Sequence, residues 1–303
     1  MNTVPATERV NEAIGALDEM SALEMLELMN HEDAGVPVAV GREIPAIAQA
    51  VDALTERLRA SGRLILVGAG TSGRLALMQA AEARPTFGIA VGTVVGIMAG
   101  GADAMVRPAE AAEDDFAAGE EELRRVAVDA RDGVIGISAS GRTQFVVGAL
   151  SQARRSGALT VGLSCDHPSP LAEAADIAIH PLVGPEVIAG STRLKAGTAQ
   201  KLVLDMITTT VMVRLGMVHG GLMVGVQGTN QKLRQRARRI VEQVTGQSGQ
   251  PVEDALSAAE WSARQAIVML VRGVDAAEAR RLIDSGRPLS ELIGGSGQGR
   301  TGG

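Results

Sequence analysis

Tyrosine is absent from this sequence, and one tryptophan and three phenylalanines complete its aromatic complement in 303 residues. With no tyrosine or tryptophan platform for stacking a base or a sugar ring, recognition must rest on hydrogen bonds and charge. Cysteine is nearly missing too: Cys165 alone excludes an internal disulfide and an all-cysteine metal site. In Val161-Gly-Leu-Ser-Cys-Asp166 it reads as a structural thiol at a strand end. The four histidines, His31, His167, His180 and His219, show no metal-ligand spacing, so neither a metal nor a cofactor is expected. Lysine is scarce, three against 26 arginines, which singles out Lys195, Lys201 and Lys232 as places where a compact ammonium is needed. No long apolar run is present. The nearest, Gly88 to Gly101, is too short and glycine-rich to span a bilayer, and the N-terminus lacks a charged-then-apolar signal pattern. The expectation is a cytoplasmic protein without a membrane partner. A net charge of -6 and a pI of about 5.4 argue against nucleic acid as partner. The basic run Lys232 to Arg239 spreads around a helix and reads as a solvated face, with a phosphate contact as the alternative.

Aliphatic residues and glycine are abundant, and two stretches combine them in the same way. Leu64-Ile-Leu-Val-Gly-Ala-Gly-Thr-Ser-Gly-Arg74 is an apolar run, read as a strand buried on both faces, that stops in glycines and hydroxyls before a helix. Gly68, Gly70 and Gly73 let an anion approach the backbone, while Thr71, Ser72 and the first helical turn offer donors. About seventy residues on, Asp132-Gly-Val-Ile-Gly-Ile-Ser138 leads into Ser138-Ala-Ser-Gly-Arg-Thr143. In an open parallel sheet two such loops can face one crevice, and hydroxyls beside an anion cradle point to a phosphosugar. The three glycines also satisfy the G-x-G-x-x-G spacing of dinucleotide-binding proteins. The acidic residue expected at the end of the next strand is missing, since Gly92 to Met98 runs into Ala99-Gly-Gly and the first acid is Asp103.

Strand and helical patterns alternate from Arg63 to His180, which implies an α/β domain with a doubly wound parallel sheet. We read residues 1–50 as an N-terminal helical arm and 51–218 as the phosphosugar-binding domain. Residues 219–250 read as connecting helices, 251–294 as a small helical domain of three short helices around Trp261, and 295–303 as a disordered tail. Ser191 and Thr192 are good N-cap residues for the long apolar helix that follows, or close the ligand crevice.

Two glutamates, Glu82 and Glu113, fall near these loops; taken singly, each reads more readily as a surface carboxylate than as a catalytic one. The wider pattern resembles the N-acetylmuramic acid 6-phosphate etherases, a family of the sugar isomerase (SIS) fold. The resemblance runs from Thr7-Glu8, Asn11 and Asp18 through Glu32-Asp33 to Thr229-Asn-Gln-Lys-Leu233. It includes Gly68 to Leu75, Ser138 to Thr143 and Gly190-Ser-Thr-Arg-Leu-Lys-Ala-Gly-Thr-Ala-Gln-Lys201. It implies elimination of the D-lactyl ether from C3 of the phosphosugar followed by addition of water, with Glu82 as the acid and Glu113 as the base. The base takes the C2 proton, which the C1 aldehyde acidifies, and the acid protonates the leaving oxygen. A glutamate at its reference pKa of about 4.3 is ionised at neutral pH, so this acid requires a site that raises it.

By the same resemblance, Thr71, Ser72, Ser138, Ser140 and Thr143 hold the phosphate, Lys195 adds charge, and the protein is a homodimer. The chain departs from the family pattern beside the acid. Where Leu-Asp-Ala-Ser-Glu is usual it has Met78-Gln-Ala-Ala-Glu82, so Gln79 and Ala81 replace an acid and a hydroxyl. Two other activities fit the same fold: a non-catalytic phosphosugar-sensing regulator, and an aldose–ketose isomerase that moves the C2 proton without losing lactate.

Overall fold

The structure, a computed structural model, describes residues 4–107 and 110–294. It divides into two compact units: residues 1–81 with 92–209, and residues 82–91 with 210–303.

The first unit opens with α1 (Ala22–Asp33), α2 (Val36–Arg42) and α3 (Ile44–Arg59). Ser21 and Glu24 form a reciprocal capping box at the start of α1. A five-stranded parallel sheet follows, in the order β2-β1-β3-β4-β5: β1 (Leu64–Gly68), β2 (Val94–Met98), β3 (Gly133–Ser138), β4 (Leu159–Ser164) and β5 (Ile177–Ile179). Between the strands lie α4 (Gly70–Phe87), α5 (Glu110–Glu113), α6 (Phe116–Arg125), α7 (Gln144–Arg155) and α8 (Pro170–Ala174). The long helix α9 (Lys195–Arg214) closes the unit and, like α4, contributes residues to both units.

The sheet is covered on both faces, which the glycines reveal. A Cβ on Gly133 would lie 2.3 Å from Leu54 of α3, while one on Gly136, three residues on and facing the other way, would lie 1.9 Å from Leu150 of α7. Continuous apolar strands are the consequence: all of Leu64, Ile65, Leu66 and Val67 are fully buried, each contributing roughly 1.5–3 kcal/mol of burial free energy. Ile65, Val67 and Val134 meet Leu123, Phe145, Val146 and Leu150 on the α6/α7 face. At the N-terminal ends of β1 and β3, Arg63 grips buried Asp132 through its backbone N–H, Nε and Nη2, at 2.9, 3.1 and 2.6 Å. Burial alone would raise the Asp132 carboxyl; the bonds from Arg63 and from the Asp129 N–H outweigh it and hold the group below its ordinary value.

The strand order matters for function. The chain leaves β1 toward β2 on one side and β3 toward β4 on the other, so the loops after β1 and β3 part company at a topological switch point, where open α/β sheets bind ligands.

The second unit holds α10 (Gln231–Thr245), α11 (Gln250–Ala258), α12 (Ala263–Arg272), α13 (Ala276–Asp284) and α14 (Leu289–Ile293). Its core gathers Ala237, Ile240 and Val241 with Leu256, Ile267, Val268 and Leu292. Among the described residues there are four helices beyond α10 rather than three: Gly286, at φ +76°, and Pro288 break the chain, and α14 then buries Leu289 and Leu292. Asp275 caps α13 through the Glu278 N–H, as its position suggests. Trp261 packs at the edge of this core under the Arg234 guanidinium, 4.9 Å above its ring, and Arg238 pairs with Glu253. The basic run on α10 is thus partly consumed within its own unit. The tail expected to be disordered, 295–303, lies outside the described residues.

Candidate active site

The first loop is shaped by contact between its own ends. A Cβ on Gly68 would lie 2.6 Å from Gly73 N and from Ser72 C, so only glycine lets the first turn of α4 press against the end of β1. The helix therefore begins at Gly70, three residues earlier than the sequence pattern implies, and Gly73 N makes its bond to Ala69 O at 3.1 Å. The N–H groups of a first helical turn have no intrahelical partner and present a partial positive charge. Thr71 is half-buried at this end and Ser72 is buried. The Ser72 hydroxyl donates to Gln200 Oε1 of α9 at 2.9 Å. Gln200 is 1% exposed, and its Nε2 has no hydrogen-bond partner.

The second loop closes the switch point. Gly141, at φ +66°, sits where a Cβ would meet Ser169 at 2.5 Å, so the turn after β3 is also restricted to glycine. Its N–H donates to Ser138 Oγ at 3.1 Å, Ser138 Oγ lies 2.9 Å from Thr143 Oγ1, and Thr143 Oγ1 donates to Glu113 Oε1 at 3.0 Å. Ser140 is half-buried and accepts from the Arg142 N–H at 3.2 Å. Of the sequence-predicted residues, the structure thus brings together Ser138, Thr143 and Glu113, and separately Thr71 with Ser72. Glu82 lies further along α4, exposed, one turn before Pro85. That proline lacks an N–H for the Ala81 carbonyl, yet the helix continues to Phe87. Glu82 belongs to the second unit and Glu113 to the first.

Lys195 is 4% exposed and its ammonium is 2.5 Å from Glu32 Oε2, which Asn11 Nδ2 also approaches at 3.3 Å. The residue singled out for phosphate charge is thus joined to the carboxylate of α1. The α9 N-terminus is capped by Glu186, whose fully buried carboxylate accepts from the N–H groups of Lys195 and Ala196 at 3.0 and 2.9 Å. Burial raises the Glu186 carboxyl above its usual range against the pull of those two bonds. That cap takes the place expected for Ser191 or Thr192; a carboxylate nine residues upstream is not a local sequence signal. Cys165 is fully buried, and burial pushes its thiol far up, as a structural role requires.

Sequence reasoning passed over three partners: Glu32 of Lys195, Gln200 of Ser72, and Asp205. Gln79 is 8% exposed and donates through Nε2 to Asp205 Oδ1 at 2.5 Å, while Thr208 Oγ1 donates to Gln79 Oε1 at 3.1 Å. Lys201 pairs with the other oxygen of Asp205. Among the described residues, four buried side-chain polar atoms lack a hydrogen-bond partner. Three of them belong to residues linked to the two loops: Gln200 Nε2, whose Oε1 accepts from Ser72, Arg142 Nε in the second loop, and Thr7 Oγ1, whose residue lies on a short 3-10 turn bonded to Gly190 N and, through Ala6 N, to Asp166, the partner of Arg142. Among the described residues no group of three or more His, Cys, Asp or Glu side chains is placed to hold a metal ion, and no helix is long and apolar enough to cross a membrane.

A parallel sheet of this order, with hydroxyl-rich glycine loops at its switch point, defines a class. The chain matches the SIS domain over residues 117–210 and the N-terminal SIS domain of glucokinase regulatory protein over residues 46–154. Closer relatives narrow it. N-acetylmuramic acid 6-phosphate etherase of Rubrobacter xylanophilus is 51% identical over 97% of this chain and 96% of its own length. The proteins of the same name from Pectobacterium atrosepticum and Caldanaerobacter subterraneus are 49% and 48% identical, over 95% and 92% of this chain and 96% and 91% of their own. The chain belongs to the N-acetylmuramic acid 6-phosphate etherase family.

Proposed function

We propose that the protein is a carbon–oxygen lyase that cleaves the D-lactyl ether of N-acetylmuramic acid 6-phosphate, giving N-acetylglucosamine 6-phosphate and D-lactate in the recycling of peptidoglycan amino sugars. Family membership supports this reading. The observation that carries it is the carboxylate of Glu113, held by Thr143 at the switch-point loop where a phosphosugar would lie.

In this reading the phosphate sits on the first turn of α4 with Thr71, Ser72, Ser138, Ser140 and Thr143, and its binding energy fixes the reacting sugar although the dianion itself takes no part in the chemistry. Three buried polar atoms without protein partners, on Thr7, Arg142 and Gln200, support a polar ligand here. With the sugar ring open, Glu113 takes the C2 proton, the electron pair delocalises into the C1 carbonyl, and the C3–O bond breaks as Glu82 protonates the departing lactate oxygen. Water then adds to C3 of the unsaturated aldehyde, and a proton returns to C2. Each glutamate ends the cycle in its starting state.

Glu82→Gln and Glu113→Gln should each abolish lactate release while phosphosugar binding persists by calorimetry. Wild-type rates in either variant would contradict the assignment, and intact wild-type binding without turnover would favour the sensor. The same reading makes the protein a cytoplasmic homodimer. Supporting this, α1 buries none of its residues in one chain, although it carries Leu23 and Leu26. Light scattering giving a monomer mass would contradict it.

A further inference from the structure

The ends of three neighbouring strands carry one polar row, of which the proposed reaction uses only the first member. Ser138 ends β3 and pairs in register with Ser164, which ends β4. Leu163 pairs with Ile179, so His180 takes the next position, just past the end of β5. Positions in register on parallel strands point to the same face of the sheet. The side chains meet accordingly: His180 Nδ1 lies 3.3 Å from Ser164 Oγ.

The second loop rests on the middle of this row. A Cβ on Gly141 would lie 2.5 Å from the Ser169 side chain and 3.1 Å from Ser164 Cβ. On either side of Ser140 the loop is bonded to the segment after β4: the Cys165 N–H donates to Ala139 O at 2.8 Å and the Leu171 N–H to Gly141 O at 3.0 Å. Ser164 Oγ donates to Asp166 O at 2.9 Å and lies 3.4 Å from the hydroxyl of Ser169, the N-cap of α8. Ser164 is therefore part of the surface against which the turn packs, and His180 is its neighbour on the side away from β3. His180 is fixed in turn. Its N–H donates to Glu43 Oε2 at 2.8 Å, and the exposed ring of His167 covers its own at a centroid distance of 4.4 Å. Burial first, and His167 second, push the His180 imidazole below its ordinary value against the pull of Glu43. Asp166, beside His167, is engaged by the Ala6 N–H and by Arg142. At neutral pH the ring offers a shape and a hydrogen-bonding edge, not a charge.

We propose that His180 is a positioning residue for the second loop, bracing Ser164 and through it the turn at Gly141. The inference rests on that loop being a seat of the substrate phosphate. A loop already held in its bound shape binds without an ordering cost, so the brace acts on affinity. It stands on the neighbouring strands and reaches the substrate only through the loop.

The test separates a brace from a charge. His180→Leu keeps much of the volume and removes the polar edge, while His180→Asn sets an amide where Nδ1 stands and cannot titrate. The net worth of a neutral hydrogen bond converts to about 3- to 10-fold in affinity. We therefore expect His180→Leu to raise KM for N-acetylmuramic acid 6-phosphate about 3- to 10-fold with kcat within about 2-fold of wild type, and His180→Asn to recover most of it. The substrate phosphate takes up its own proton near pH ~6 whichever variant is assayed. Each KM is therefore read as a ratio to wild type, at pH 6.5 and at pH 8, and the ratio should be the same at both. A wild-type KM in His180→Leu, or a kcat loss at constant KM, would overturn the proposal. So would a His180→Asn as impaired as His180→Leu, and a gap that widens at pH 6.5 would assign the effect to imidazolium charge instead. Should His180→Leu not fold, Ser164→Ala reads the row one bond nearer the loop: a KM rise at constant kcat supports the brace and a wild-type KM refutes it. A wild-type KM in Ser140→Ala would defeat the underlying phosphate seat, whereas a raised KM there beside an unaffected His180→Leu defeats this inference alone.

Discussion

Replacing Gln79 by glutamate tests whether the chain's departure from the family pattern is compensated within its own structure. The Gln79 carboxamide donates to Asp205 at 2.5 Å, and Lys201 engages the other oxygen of the same carboxylate. The substitution Gln79→Glu would set two carboxylates in hydrogen-bond contact. The lost bond to a charged acceptor is worth about 1.5–3 kcal/mol. Like charges about 4 Å apart would add about 4 kcal/mol at an effective dielectric of 20. The Asp205 side chain is 40% exposed and paired with Lys201, so water and the ammonium screen much of that, and we expect a net loss of about 2–4 kcal/mol. For a unit of this size the melting temperature should drop by roughly 10 °C at pH 7–8. The sign with pH is fixed. Sharing a proton raises the pair's folded-state pKa above the unfolded value, so the penalty is complete above the raised value and absent below the ordinary carboxylate range near pH ~4. Differential scanning calorimetry across pH 4–8 should show the gap to wild type closing as pH falls, while Gln79→Leu shows a smaller gap with little pH dependence. A Gln79→Glu variant as stable as wild type at pH 8, or a gap independent of pH, would refute the reasoning.

The buried Lys195–Glu32 pair makes a different demand. Lys195→Met strands a partly buried carboxylate and should cost about 3 kcal/mol in urea unfolding, whereas a KM rise at unchanged stability would return Lys195 to direct phosphate contact. Ser72 and Gln200 should be coupled: Ser72→Ala and Gln200→Met each weaken inhibition by inorganic phosphate, and the double variant should be no worse than Ser72→Ala alone. The Cys165 thiol, fully buried, should be unreactive toward Ellman's reagent in the native protein and titrate as one group after unfolding.

Legibility of the fold followed the range of the interactions that make it. β1 and β3 are aliphatic and glycine runs that end in loops of glycines and hydroxyls, and a local pattern suffices to read them. The order β2-β1-β3-β4-β5 is set by pairing between distant segments and has no local signature. The same holds at the site. Thr71, Ser72, Ser138 and Thr143 announce themselves as hydroxyls in glycine loops, but what each hydroxyl does depends on Gln200 and Glu113, 128 and 30 residues away. The extent of α4 was hidden because Pro85 reads as a helix end, and the Glu260–Trp261 turn because two non-glycine residues adopt φ of +50° and +65° there.

The central claim is that the ether is broken by elimination and the sugar then hydrated. Incubation of N-acetylmuramic acid 6-phosphate with the protein in oxygen-18 water, followed by exchange of the C1 aldehyde oxygen back in ordinary water and mass spectrometry of both products, tests it directly. The account expects unlabelled D-lactate and one heavy oxygen retained at C3 of N-acetylglucosamine 6-phosphate. Label in the lactate with none retained in the sugar would mean displacement at the lactyl carbon and would contradict the roles given to Glu82 and Glu113.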